Sequence, residues 1–313
     1  MKPITKQILK KTLSLFGSNA LVRQRLRYSA PKSAHPSKYD LPDIISHDYG
    51  TWSGKCRRIL PIPNDLAFSP EEGYRFQLAG SNASALTRLV YWYGIPQMDF
   101  YPNSPIWNIV NQAKTIVDIG ANIGLYLFCF KQAAPNAKLF AFEPAPEVFQ
   151  TLERNVALNQ TRAEIYPYAI TDYCGDITLY IPPTECDAST RASLPDEAKI
   201  LDIPVVARTV PAFTLDELSS RLNMGPVDFV KLDTEGTEPA VLRGMAHILA
   251  TDKPDIFCEV VDGTHTERDL EALLLPHGYH FYQLIRGELL KVDSIVPDPD
   301  KQNLNFFFST RLH

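Results

Sequence analysis

Two stretches of the chain gather side chains whose types and spacing suit chemistry. The first is Asp118-x-Gly120-x-Asn122-x-Gly124, which follows the apolar, β-branched run Thr115 to Ile119 and precedes the apolar Leu125 to Phe130. A glycine turn between a buried strand and a helix lets a ligand approach the N–H groups at the helix start. The spacing departs from the dinucleotide pattern Gly-x-Gly-x-x-Gly, because Asn122 stands where the middle glycine would be. Asn visits the left-handed backbone region more readily than most residues, so the turn can still form. The second stretch is Lys231-Leu232-Asp233-Thr234-Glu235-Gly236, which closes the apolar run starting at Val227. Period-two alternation puts Lys231 and Asp233 on one strand face, where charges are costly unless paired or functional. They read either as a working pair at the carboxyl end of a strand or as a structural ion pair, with Glu235 then opening the next helix. Glu259, set among Ile256, Phe257, Cys258, Val260 and Val261, is another ionisable group in an apolar run and needs a partner or a task. His265, on the loop after that run, reads as a candidate base or a plain surface histidine, and His247 reads as structural.

The elements that would position these residues alternate between strand and helix, which argues for an α/β fold: a doubly wound parallel sheet covered on both faces. The expected strands are Thr115 to Ile119, Lys138 to Phe142, Glu164 to Ile170, Val227 to Leu232 and Asp255 to Val260, followed by Tyr279 to Ile285 and Asn305 to Ser309. Expected helices start at Leu125, at Val148 behind Pro146, at Thr214 and near Thr237 with Pro239 in its first turn. A short helix is expected through Ile106, Ile109 and Val110. Thr264-His265-Thr266-Glu267 has the capping-box pattern for one more helix, and Thr214-Leu215-Asp216-Glu217 for another. Asp176 to Ile181 and Pro204 to Val210 are expected to pair as an extra ribbon around a polar loop. Ser29 to Pro70, rich in Pro, Ser, Asp and Tyr, reads as a loop-rich connector.

Composition narrows the function classes. With 45% hydrophobic residues the 313-residue chain can bury a substantial core. The net charge of −5 argues against a general nucleic-acid binder. Met1 to Lys38 carries nine basic and no acidic residues, leaving the rest with 22 basic against 36 acidic side chains. Met1 to Phe16 has helical apolar spacing and a basic face, which reads as a capping helix or tail, with peripheral membrane contact as the alternative. The five cysteines form no Cys-x-x-Cys pair, so no zinc knuckle or disulfide framework is indicated. That usage suits a reducing cytoplasm, and no apolar stretch approaches the length of a membrane span.

The Asp118 to Gly124 turn resembles the first motif of class I S-adenosylmethionine methyltransferases. Together with Phe142-Glu143-Pro144, Asn155-Val156-Ala157-Leu158-Asn159 and Val230-Lys231-Leu232-Asp233-Thr234-Glu235-Gly236, it resembles the FkbM family over roughly Arg88 to Val260. The resemblance implies a Rossmann-like sheet with an antiparallel edge at the last strands. It also implies two parts: a basic, helical and loop-rich extension over 1–80, and a methyltransferase domain over 81–313, entered by a helix at Ser84 to Tyr93. The implied activity is S-adenosyl-L-methionine-dependent O-methylation of a small-molecule or glycan hydroxyl on a sugar, glycosylated or polyketide-type metabolite.

The implied cofactor residues are Asp118, Gly120, Ala121, Asn122, Gly124, Glu143, Ala169, Ile170, Asp172 and Asp233. Gly120 to Gly124 would offer amides to the methionine carboxylate, and Asp118 would meet the amino group or else tie down the turn's own N–H groups. Glu143, 19 residues beyond Gly124, stands where related folds place the acid that meets a ribose diol. Ala169 and Ile170 would face the adenine, and Asp172 would accept from its amino group or simply form a turn. Hydroxyl methylation needs alignment and a base. Asp233 is the first candidate for that role, then Glu235, with Lys231, Glu259 and His265 as further catalytic candidates. Asp233, Glu235 and Glu259 form an acidic set, but no metal is expected. Glu185 to Ser193, with Arg191, is a candidate acceptor loop or a solvated surface loop. The rival readings are a nicotinamide-dependent oxidoreductase or epimerase, which would want Gly at 122 and where Leu125 stands, and a non-catalytic module that keeps the fold.

Overall fold

The computed structural model describes residues 65–67, 74–79, 100–181, 206–285, 288–298 and 304–313. Met1 to Phe16, Ser84 to Tyr93 and the Glu185 to Ser193 loop with Arg191 lie outside the described residues.

In chain order the elements are β1 (Asp65–Ala67), β2 (Gln77–Ala79), α1 (Pro105–Val110), β3 (Thr115–Ile119), α2 (Leu125–Ala133), β4 (Lys138–Phe142) and α3 (Pro146–Leu158). They continue with β5 (Glu164–Tyr166), β6 (Ala169–Ile170), β7 (Gly175–Ile181), β8 (Val206–Phe213), α4 (Leu215–Arg221), β9 (Phe229–Leu232), α5 (Glu238–Arg243) and α6 (Ala246–Thr251). The last are β10 (Asp255–Glu259), α7 (Glu267–Leu274), β11 (His280–Ile285), β12 (Glu288–Val292) and β13 (Asn305–Ser309). The main sheet has eight strands in the order β12-β11-β13-β10-β9-β3-β4-β5. Strands β5, β4, β3, β9 and β10 run parallel, while β13, β11 and β12 add antiparallel pairs at one end. The fold is therefore the expected α/β one.

Strand alternation explains the two layers. Ile116, Phe229 and Phe257 bury on one face, packed with α1, α2 and the segment carrying Tyr74, Phe76 and Leu78. Their neighbours Val117, Val230 and Ile256 bury on the other face against α4, α5, α6 and α7. Each such buried side chain contributes about 1.5–3 kcal/mol over an exposed one. By the same alternation Asp118 and Lys231 fall on the first face, and both are buried. Cys129 and Cys258 are buried in these layers, as expected of small core residues.

Four expectations are corrected. The third strand does not run from Glu164 to Ile170. It stops at Tyr166, because Pro167 lacks the N–H a ladder needs, and Ala169–Ile170 joins β8 and β7 in a separate three-stranded sheet. Strand β12, with little β-branched content and mostly exposed, is an unanticipated edge. Strand β1 lies inside the stretch read as a loop-rich connector and pairs with β2. Thr264 does not cap α7; its hydroxyl donates to the Val261 carbonyl at 2.7 Å, and Thr266 at the N-cap makes no side-chain capping bond, its hydroxyl lying 3.2 Å from that of Thr264. The other predicted cap holds: Thr214 Oγ1 accepts from Glu217 N at 3.2 Å. The extra ribbon is present as β7 and β8. No helix among the described residues is long and apolar enough to cross a membrane.

Candidate active site

The turn after β3 has Gly120 at φ 76°, Asn122 at 52° and Gly124 at 90°, so Asn122 does take the left-handed conformation. A Cβ on Gly120 would sit 1.8 Å from the Asp233 carbonyl oxygen, and one on Gly124 would sit 2.7 Å from the Leu152 side chain. Both glycines are therefore demanded by close approach as well as by φ. Ala121 is buried beneath the turn.

The turn's amides are used internally, which corrects the expectation that they are free. Gly120 N and Ala121 N donate to the Phe142 carbonyl, both at 3.0 Å, and Gly124 N donates to the Ala121 carbonyl at 2.9 Å. Asn122 N donates to Glu143 Oε2 and Ile123 N to the Asn122 side chain, at 2.9 and 2.8 Å. The N-cap of α2 is Gly124, which has no side chain to cap the helix start, and a helix start of this kind favours an anion. Glu143 thus ties down the turn, the role weighed above for Asp118. The β3–β4 register of Ile119 against Phe142 sets it there. Its other oxygen accepts from Ala145 N at 2.9 Å. Burial pushes its carboxyl up to about 7 against these two amides.

Asp118 is fully buried, and neither of its carboxylate oxygens has a hydrogen-bond partner among the described residues. It is paired across the sheet with Lys231, whose Nζ lies 4.0 Å from Oδ1. Burial pushes Asp118 up to about 6, with Lys231 pulling it down and Asp233 pushing it further up. Lys231 Nζ donates to Asp233 Oδ2 at 2.9 Å and stands 4.7 Å over the Tyr126 ring. Burial opposes its charge, but Asp233 and Asp118 together hold the ammonium above the usual lysine value. The expected Lys231–Asp233 pair is therefore present, and Asp233 is its partly exposed member.

Asp233, Glu235 and Glu259 each place one oxygen within 4.8 Å of the others'. Burial, together with the charges of Asp233 and Glu235, raises Glu259 to about 9, and it shares a hydrogen bond with Asp233. Glu235 does not open the next helix as its alternative reading held. It has φ 61° and lies before α5. Across residues 118–281, which contain this turn, the ion-pair row and the acidic trio, the chain matches the Methyltransferase FkbM domain.

The chain belongs to the FkbM methyltransferase family. The match covers more than half of the sequence. Relatives include the methyltransferase sdnD of Sordaria araneosa, 28% identical over 190 residues, covering 52% of this chain and 73% of that protein. The 31-O-demethyl-FK506 methyltransferase FkbM of Streptomyces tacrolimicus is 24% identical over 193 residues, covering 52% and 72%. The hexuronic acid methyltransferase AglP of Haloferax volcanii is 28% identical over 134 residues, covering 42% of this chain and 50% of that protein.

Within this FkbM-family site some expected residues are engaged elsewhere. Asp172 accepts from Arg243 Nε at 2.8 Å, and that hydrogen bond holds its carboxyl below the usual range. Ala169 and Ile170 are buried in the small sheet. His265 occupies a left-handed position in the loop after β10 and is not part of the acidic trio. Sequence reasoning missed Glu238, which is buried and accepts from Thr234 N, Thr234 Oγ1 and Gly236 N at 3.0, 3.0 and 3.1 Å. It shapes the turn presenting Asp233 and Glu235, and its position four residues beyond Thr234 was the available signal. Tyr126 was read only as the apolar start of α2, although its ring caps the Lys231 ammonium.

Proposed function

We propose that this protein is an S-adenosyl-L-methionine-dependent O-methyltransferase acting on a hydroxyl of a sugar, glycosylated or polyketide-type metabolite. The observation that carries the cofactor reading is the Asp118 carboxylate, fully buried beside a glycine turn with no hydrogen bond to either oxygen among the described residues. Lys231 stands 4.0 Å away as a counter-charge but donates no hydrogen bond to it, and the ammonium of an amino-acid tail supplies the missing donor. The uncapped start of α2 fits the neighbouring carboxylate of that tail. Glu143 Oε1 and Oε2 each accept one amide and retain a lone pair for a ribose hydroxyl.

When bound, the cofactor supplies an electrophilic methyl on a sulfonium. Transfer to a hydroxyl leaves the thioether, the methyl ether and one proton. Burial and the charges of Asp233 and Glu235 favour the protonated form of Glu259, so Asp233 is the first candidate to accept the hydroxyl's proton and Glu235 the second. Lys231 donates to Asp233 and fixes its orientation. Oxygen as the target is supported by this carboxylate group and by the name of the Streptomyces relative. A sugar acceptor is supported by the name of the Haloferax relative.

Calorimetric titration with S-adenosylhomocysteine and, separately, with NAD tests the cofactor. Binding of the first and not the second is expected, and the reverse would overturn the reading. Methyl-labelled cofactor offered with a panel of sugar and polyketide alcohols should then yield a base-stable, ether-linked label. Label on nitrogen or carbon alone would refute O-transfer.

A further inference from the structure

Helix α3 touches the turn after β3 at two places. The Leu152 side chain occupies the space a Cβ on Gly124 would need. Asn155, fully buried, donates from Nδ2 to the Ile123 carbonyl at 2.8 Å. The Ile123–Gly124 peptide group is thereby held from both sides, since its N–H donates to the Ala121 carbonyl at 2.9 Å. It is the peptide group that leads into Gly124, the N-cap of α2, so its orientation fixes the entry to the helix start.

Asn155 also reaches the other way. Its Oδ1 accepts from Ala79 N at 2.5 Å. One turn along the same helix, Asn159 donates to the Gln77 carbonyl at 2.6 Å and accepts from Gln77 N at 2.7 Å. The two asparagines act as a substitute strand edge for β2, and only Asn155 spans from that strand to the turn. We infer that Asn155 is a positioning residue that couples the segment Tyr74–Ala79 to the cofactor turn, setting methyl-donor affinity from outside the binding surface. A residue needed only to hold β2 would have no use for the Ile123 bond, and Asn159 does that task without it.

The inference rests on the cofactor reading above, so the test has one readout with the donor's product and one without. Full-length wild type, Asn155→Ala and Asn159→Ala are titrated with S-adenosylhomocysteine by calorimetry, and backbone hydrogen exchange is followed by mass spectrometry in the free proteins. Asn155→Ala is expected to weaken binding by about tenfold or more and to speed exchange in the peptide spanning 120–128. Asn159→Ala is expected to speed exchange in 74–79 while binding stays within about threefold of wild type. Equal losses in both variants, or unchanged binding and turn exchange in Asn155→Ala, would overturn the inference.

If the alanine variant does not fold, Asn155→Asp decides. Burial favours the protonated form of the new carboxyl, which can still donate to Ile123; ionised at higher pH, it cannot. Its affinity should fall as pH rises relative to wild type, and a parallel pH profile would overturn the inference. Should wild type bind no S-adenosylhomocysteine, the cofactor reading fails. The exchange of the turn would still decide whether Asn155 holds it.

Discussion

Replacing Asp118 with Asn should change the pH dependence of stability more than stability itself. The carboxyl stands at about 6 in the folded protein against 3.8 for the free group, chiefly through burial. The folded state therefore binds this proton more tightly than the unfolded chain does. The sign follows: the stabilising contribution is fully present below the unfolded value and is lost as pH rises through about 6. At about 1.4 kcal/mol per unit, a shift of roughly two units corresponds to about 3 kcal/mol lost by pH 8. An Asn side chain does not titrate, but it leaves its own amide poorly paired, at a cost of about 1–3 kcal/mol at every pH. The variant should thus be the less stable protein near pH 4 and should equal or exceed wild type near pH 8. The difference between the two proteins should swing by about 3 kcal/mol across that range.

Urea unfolding of both proteins, read as midpoints at constant slope, measures this directly. The contribution of Glu259 is common to both proteins and cancels, while Glu143, whose carboxyl the Asp118 charge helps to raise, is raised less in the variant and adds to the swing in the same sense. Ligand binding supplies the second half of the test. A buried charge-assisted bond contributes about 1.5–3 kcal/mol, so Asp118→Asn should bind S-adenosylhomocysteine about 10–100-fold more weakly at pH 8. The wild-type affinity should itself fall as pH drops below about 6, because the carboxyl must lose its proton to receive an ammonium. Parallel stability curves for the two proteins from pH 4 to 8, or an unchanged affinity, would refute the argument that Asp118 waits for a cation.

Three further outcomes are expected. Glu259→Gln should abolish a fall in wild-type stability that sets in above the ordinary glutamate range and runs through about pH 9, giving a variant more stable than wild type by at least about 1 kcal/mol at pH 9 in chemical denaturation. Gly120→Ala should cost about 3 kcal/mol or more in the same measurement, since its Cβ would collide with the Asp233 carbonyl at a φ of +76°. Lys231→Met should destabilise by about 3–5 kcal/mol at pH 8 by stranding Asp118 and Asp233. That loss should shrink below about pH 6, where Asp118 takes up its proton, and a loss independent of pH would count against the pairing.

What could be read from the chain was local. Thr115 to Ile119 and Lys138 to Phe142 are strands with the expected ends, because a β-branched or aromatic apolar run bounded by a turn has few other uses. Asn122 could be placed in the left-handed region because its neighbours fixed the turn. What depended on strand order could not be read. Glu143 binds the amide of Asn122 only because β4 lies beside β3 with Ile119 against Phe142. Asp118 and Lys231 lie 113 positions apart and meet because β9 crosses over to flank β3 on its other side. Pro167 did carry a local signal, and the strand was drawn through it nonetheless.

The crossover has an electrostatic consequence that favours one ligand class over its rival. It gathers Asp118, Asp233, Glu235 and Glu259 near one ammonium among the described residues, that of Lys231, with Glu143 on the adjoining strand end. Raised carboxyls at Asp118, Glu143 and Glu259 are the expected response of a site carrying more negative charge than it can solvate. A dinucleotide would bring a pyrophosphate into that field and be repelled by it. A sulfonium with an ammonium-bearing tail would bring positive charge, partner the orphaned Asp118 oxygens and discharge protons from the raised carboxyls. Proton release on binding, measured by calorimetry in buffers of different ionisation enthalpy near pH 6, therefore separates the two ligand classes by sign. Release is expected for S-adenosylmethionine, and proton uptake would count against a cationic donor at this site.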